Sequence, residues 1–193
     1  MGTRSTKRLV PVVGIGASAG GLEAVTKLIQ NLSANTGMAY VFVTHLSPNH
    51  ESYLTELLAK TTSMPVADAR DRTAVLADHV YIMPPNVGIS IAAGVLCLAA
   101  RPRGAAGRRP IDSFFRSLAE DQKANAIGIV LSGFLSDGTL GLQAIKTGGG
   151  ITFAQDEQSA AHSGMPHSAI ASGYVDFVLT PEKIARKLST LGD

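Results

Sequence analysis

The chain contains no tryptophan and a single cysteine, Cys97, among its 193 residues. One thiol cannot close an internal disulfide, and it cannot seed a zinc site built on clustered cysteines. Only 17% of residues are charged and 5% are aromatic. The formal charge of +2 is too small to argue for a nucleic-acid partner. No apolar run reaches the roughly 20 residues that a bilayer-crossing helix needs. Residues Met1 to Arg8 are basic and polar, and Gly14 and Gly16 break the short apolar stretch behind them. That does not match a secretory signal. The expectation is a cytoplasmic protein with no membrane insertion and a flexible segment over residues 1–8.

The arginines that do cluster are Arg101, Arg103, Arg108 and Arg109, set among glycine, alanine and proline. A solvated loop is the plain reading and a docking surface for an acidic partner the sharper one. Nucleic acid is the weakest, because no aromatic residue stands beside these arginines.

Apolar residues are plentiful at 45%, enough for one domain with a large core. Short apolar runs alternate with segments of helical period. That pattern predicts an α/β fold, a three-layer αβα, doubly wound and mostly parallel sheet. Strands are predicted over Leu9–Ile15, Ala39–Thr44, Ala126–Leu131, Ile151–Ala154 and Tyr174–Leu179, with shorter ones at Met64–Ala69 and His79–Met83. Two alternating runs around Ala93-Gly94 predict an appended β-hairpin. Helices are predicted after the first strand (Leu22, Val25, Leu28, Ile29 and Leu32 on one face) and over His50–Lys60 and Ile111–Gln122. Another carries Leu142 and Ile145, a short one runs from Pro166 to Ser172, and the last is capped by Thr180 with Pro181 at its first position.

In an open parallel sheet, ligands bind beyond the carboxyl ends of the strands. Ser18 follows the first strand, His45 the second, and Asp137 the strand ending at Leu131. A serine, a histidine and a carboxylate are what nucleophilic acyl transfer needs. Ser18 lies in Gly16-Ala17-Ser18-Ala19-Gly20, a strand-to-helix turn that exposes a hydroxyl beside free helix N–H groups. A serine that merely caps the helix fits the same pattern. A phosphate loop is a third reading, but the acidic residue expected at the end of the second strand is replaced by Thr44-His45. For the carboxylate, Asp137 and Asp156 both follow strands; Asp137, in a tight turn between Ser136 and Gly138, has a modest lead, and a helix N-cap asks for the same residue there. His162 and His167 flank Gly164-Met165-Pro166 in a loop that can approach the site, His79 begins a strand at the far edge, and no third ligand joins His45 and His50 as a metal set.

At these residues the sequence resembles the catalytic domain of the CheB chemotaxis protein-glutamate methylesterases. Val13 to Gly21 is similar to the family's nucleophile turn, His45 and Pro48 to its histidine strand end, and Ser132 to Gly138 to its aspartate segment. Ala154-Gln155-Asp156 and Gly164 to Ile170 match two further family segments. The resemblance runs from about Leu9 to the last helix, over a domain of residues 9–193. It implies a Ser18–His45–Asp137 triad and no metal or organic cofactor; the backbone N–H groups of Ala19 and Phe134 are the candidate oxyanion donors. It implies hydrolysis of glutamate γ-methyl esters on methylated chemoreceptor cytoplasmic domains, with glutamine deamidation as a related activity. Ala19 stands where the family commonly has threonine, Thr44 where it has glutamine, and Gly133-Phe134-Leu135-Ser136-Asp137-Gly138 where it has a Gly-Met-Gly-Asn-Asp-Gly run. These variants resemble the branch fused to methyltransferase and sensor domains. The family's usual receiver domain is not in this sequence, so the expectation is an excised domain or another mode of regulation. A catalytically silent receptor-binding module is the alternative, and a nucleotide-binding domain a more distant one.

Overall fold

The computed structural model describes residues 10–45, 53–101, 104 and 106–192. In chain order the elements are β1 (Val12–Ala17), α1 (Gly21–Asn31), β2 (Ala39–Thr44), α2 (Tyr53–Ala59), β3 (Val66–Asp68), β4 (Thr73–Ala74), β5 (His79–Ile82), β6 (Val87–Ala92) and β7 (Val95–Ala100). There follow α3 (Pro110–Gln122), β8 (Ile127–Val130), α4 (Thr139–Thr147), β9 (Ile151–Gln155), α5 (Gly164–Ala171), β10 (Phe177–Leu179) and α6 (Pro181–Ser189).

Seven strands form one parallel sheet in the order β10-β9-β8-β1-β2-β5-β3. The chain winds outward from β1 through β2, then returns to add β8 on β1's other side. The direction of winding therefore reverses between β1 and β8, and helices leave these two strands on opposite faces. A crevice opens at such a switch point.

Period-two alternation assigns the faces. Val13, Ile15, Tyr40, Phe42 and Ile129 pack with Leu28 of α1 and Ile184 and Leu188 of α6. Val12, Val41, Val43 and Val130 pack on the other side with Ile111, Phe114, Phe115 and Leu118 of α3 and with Leu142 and Ile145 of α4. Each such fully buried side chain contributes about 1.5–3 kcal/mol. On the α3 side, β1 presents Gly14 and Gly16 instead of side chains. A Cβ on Gly16 would stand 2.3 Å from Ile111 Cγ2, so α3 lies directly on the strand backbone.

The predicted hairpin is present as β6 and β7, paired from Val87↔Ala100 to Ala92↔Val95. Its turn residues Ala93 and Gly94 both have positive φ, as a two-residue hairpin turn requires. With β4 the hairpin makes its own three-stranded antiparallel sheet. It is fastened to α3 through Ile91 N–H, which donates to Ser117 Oγ at 3.1 Å.

Several boundaries differ from the sequence expectation. β1 starts at Val12 and continues to Ala17; Pro11 has no N–H and contributes only its carbonyl, which accepts from Ala39 N. Leu22 is 48% exposed, outside the buried stripe of α1. The predicted helix over His50–Lys60 is seen as α2, with only Leu58 buried; residues 46–52, including Pro48 and His50, lie outside the described residues. The last strand shortens to Phe177–Leu179, because the Asp176 carboxylate takes Thr152 N–H and Thr152 Oγ1 takes the Tyr174 carbonyl. Side chains there add to a single main-chain bond, from Asp176 N–H to the Thr152 carbonyl at 3.1 Å.

Candidate active site

Ala17 of β1 pairs with Thr44 of β2, so Ser18 and His45 are the next residues on two adjacent strands. Alternation turns both toward the α3 face. Ser18 N–H donates to the Ser132 carbonyl at 2.9 Å, which ties the turn after β1 to the loop after β8. The left-handed residue of that turn is Gly20, with φ 70°, and it is the N-cap of α1. Ser18 itself is not among the positive-φ residues. The turn is therefore sharp at its glycine rather than at its serine.

His45 is half-buried. Its Nε2 lies 3.0 Å from Asp137 Oδ2 and 3.2 Å from the Arg108 carbonyl. A carbonyl, like an ionised carboxylate, only accepts, so Nε2 carries the hydrogen and Nδ1 keeps the lone pair. Nδ1 is buried and has no hydrogen-bond partner among the described residues. It is the ring atom free to take a proton.

Asp137 is 5% exposed. Its Oδ2 also accepts from Ile111 N–H at 3.0 Å, and its Oδ1 accepts from Asp112 N–H at 2.9 Å and Gly138 N–H at 3.0 Å. The sequence equally suits a cap on the helix that follows it. The structure gives that N-cap position to Gly138, and the Asp137 carboxylate instead meets the N-terminus of α3.

Asp156 is not brought to His45. Its carboxylate holds Ser159 N–H at 3.0 Å and Ser159 Oγ at 2.7 Å in the turn after β9. β8 separates β9 from β1.

The N–H groups of Ala19 and Phe134 flank the crevice between β1 and β8. Among the described residues neither has an internal partner. The intervening Gly133 N–H is used: it donates to the His162 carbonyl at 3.0 Å. Gly133 also has no room for a side chain, since a Cβ would stand 2.2 Å from Met165 Sδ and 3.0 Å from Ser18 Cβ. The His162 ring packs against Phe134, tilted by 37° with centroids 4.2 Å apart, so the loop before α5 does reach the site. Leu135, 84% exposed and at φ 63°, forms the outer lip.

Sequence reasoning did not single out Arg108, Arg109 or Asp112 as site residues. Arg108 contributes its carbonyl to His45. Arg109 is not a free surface charge, because its Nε binds Asp112 Oδ2 at 2.6 Å and its Nη2 the Ser136 carbonyl at 2.9 Å. Only the arginine cluster marked them, and it does not say where they point. His79 bonds the Ala77 carbonyl and His167 pairs with Glu157, both apart from His45. Among the described residues no three His, Cys, Asp or Glu side chains group to hold a metal ion, and no helix is long and apolar enough to cross a membrane.

Fold and site define a parallel α/β domain with serine, histidine and carboxylate at its switch point, the layout of acyl-transfer hydrolases. The chain belongs to the CheB methylesterase family, whose profile matches residues 13–188. It is 38% identical to protein-glutamate methylesterase/protein-glutamine glutaminase 2 of Burkholderia pseudomallei over 95% of this chain and 54% of that protein. It is 35% identical to protein-glutamate methylesterase/protein-glutamine glutaminase 3 of Pseudomonas aeruginosa over 94% of this chain and 55% of that one. The chain thus spans about half the length of the curated relatives it matches. The crystal structure of the Thermotoga maritima CheB methylesterase catalytic domain superposes with a TM-score of 0.86 at 32% identity, covering 94% of this chain and 98% of that one.

Proposed function

We propose that this chain is a serine esterase that hydrolyses glutamate γ-methyl esters on chemoreceptor cytoplasmic helices and releases methanol. The observation that carries the reading is the His45–Asp137 pair at 3.0 Å, with His45 at the end of the strand next to the one that leads to Ser18 and its Nδ1 unpartnered among the described residues. Ser18 Oγ attacks the ester carbonyl while His45 Nδ1 takes its proton. Asp137 fixes the ring and stabilises its charged form. Negative charge on the former carbonyl oxygen is met by the Ala19 and Phe134 N–H groups, each worth about 3 kcal/mol when aimed at it. Collapse expels methoxide, which takes the proton from His45 and leaves as methanol. Water then attacks the acyl-serine with His45 again as base, which frees the glutamate carboxylate and restores Ser18.

The same steps with ammonia as leaving group deamidate glutamine, and the names of the curated relatives carry both activities. The chain acts in the cytoplasm as a catalytic domain covering residues 9–193. Neither metal nor organic cofactor enters these steps. Its regulation comes from a receiver, methyltransferase or sensor domain of a larger protein. In support, it is 40% identical to part of an uncharacterised 104.1 kDa protein of Rhodobacter capsulatus, of which the match covers only 14%.

Methanol release from a methylated receptor fragment tests the reading. Ser18→Ala should abolish release, and retained activity would sink the nucleophile assignment. A fluorophosphonate probe should label Ser18 in the folded protein. An unlabelled Ser18 would instead favour a silent receptor-binding module.

A further inference from the structure

Neither α3 nor α4 is capped by a side chain of its own N-cap residue: these residues are Arg109 and Gly138, and neither makes a side-chain cap bond. Each helix is capped from the other. Asp137, just before α4, accepts from Ile111 and Asp112, the second and third residues of α3. Asp112, in the first turn of α3, accepts with Oδ1 from Gly138 at 2.9 Å and from Gly141, the third residue of α4, at 2.8 Å. These are the N–H groups that a local cap and capping box would satisfy. Both carboxylates are buried, at 3% and 5% exposure.

An aspartate immediately ahead of a helix start has an obvious local use, which is to turn back and bind the free N–H groups of that helix. Asp137 already bonds Gly138 N–H with Oδ1. Asp112 shares that Gly138 N–H and takes the Gly141 N–H alone, while Asp137 Oδ2 stays on Ile111 N–H and His45. We infer that Asp112, held by Arg109, is a positioning residue of the reaction: by capping α4 it leaves Asp137 free to face His45. Arg109 completes the frame. Its Nε fixes Asp112 Oδ2 and its Nη2 holds the Ser136 carbonyl, one residue before Asp137. The next residue back, Arg108, gives its carbonyl to His45 Nε2. Residues 108–112 thus touch both members of the His–Asp pair.

The inference rests on the esterase reading, so its test includes a readout that needs no turnover. A histidine N–H held by a buried carboxylate gives a protected low-field proton resonance. In wild-type protein that signal belongs to His45 Nε2–H. In Asp112→Ala the signal should be lost. Methyl-ester kcat per folded molecule should fall about a hundredfold, the effect of misplacing a reacting group by about 1 Å, with KM within about twofold. Asp112→Asn keeps an oxygen for Gly138 and Gly141, and should restore the signal and at least about tenfold of the lost kcat. Arg109 is partly exposed, so Arg109→Met tests the frame even where Asp112→Ala does not fold. It should broaden the signal and lower kcat about fivefold to tenfold.

A folded Asp112→Ala protein with the wild-type signal, or an Arg109→Met protein with unchanged signal and kcat, would overturn the inference. So would an activity loss matched by the loss of folded protein. A wild-type protein that shows the low-field signal and no esterase activity would overturn the proposed function and leave the positioning of Asp137 standing.

Discussion

Asp137 and Asp156 are chemically identical and both follow strands, yet their surroundings differ in kind. Asp137 gathers three backbone N–H groups and one imidazole in a buried setting. Asp156 serves one serine in an exposed turn. Replacing Asp137 by asparagine keeps the volume and removes the charge that supports a protonated His45. We expect kcat to fall by about 10²–10⁴. Asp156→Asn should change it by no more than about twofold, as for a surface substitution. Steady-state methanol release from the two variants decides the matter, and a crippled Asp156→Asn with an active Asp137→Asn would reverse the assignment. Local pattern left this choice open because a turn, a cap and a catalytic carboxylate all ask for aspartate after a strand. Ser18 and His45 were legible for a simpler reason, since strand ends can be read from apolar runs and the pleat sends the next residue to a known face. The Arg108 carbonyl was not legible at all. Every residue has a carbonyl, and only the folded chain brings the one of Arg108 to His45.

Helix ends explain which element boundaries were readable. Thr180 caps α6 by accepting from Lys183 N–H, and the pattern Thr180-Pro181 announced it. α3 also opens on a proline, Pro110, but the carboxylates that cap α3 and α4 come from about 25 residues away in sequence, where no local pattern announces them. The same holds at the sheet edge. Asp176 links α4 to β9: it pairs with Lys146 and accepts from Thr152 N–H and Oγ1. Partial burial pushes its pKa up, but the hydrogen bonds and the Lys146 charge outweigh this and hold it below its ordinary value of 3.8. A depressed carboxylate pKa means that the folded state favours the ionised form. The contribution is therefore complete above the ordinary aspartate range and fades as the pH falls through it and below. Asp176→Asn should destabilise the domain by about 1–2 kcal/mol at neutral pH. The gap from wild type should close as the pH drops below about 4. Urea unfolding at several pH values measures this, and a gap that widens in acid would contradict it.

At the scale of the whole molecule, the site depends on how closely one helix approaches one strand. Ile111 does two things: its side chain lies on Gly16 and its N–H holds Asp137 Oδ2. The glycine on β1 therefore sets the height at which α3 meets the loop that carries Asp137. Gly14 lies two residues earlier on the same face, against Phe115 and Leu118 in the middle of α3. The pair offers a controlled comparison. At Gly16 an added Cβ would meet Ile111 Cγ2 at 2.3 Å, and at Gly14 it would meet Phe115 Cε1 at 2.8 Å. Overpacking either position should destabilise by about 1–3 kcal/mol, which for a domain of this size lowers Tm by about 2–4 °C per kcal/mol. Activity should separate them. Gly16→Ala lifts the first turn of α3 and with it the donors that hold Asp137, so kcat per folded molecule should drop about tenfold or more. Gly14→Ala strains the helix one turn further from the site and should leave kcat per folded molecule within about twofold of wild type. Active-site titration with a fluorophosphonate supplies the count of folded sites, and calorimetry supplies Tm. Equal losses of kcat in the two variants, scaling only with stability, would mean that the α3–β1 contact holds the fold together without setting the His45–Asp137 geometry.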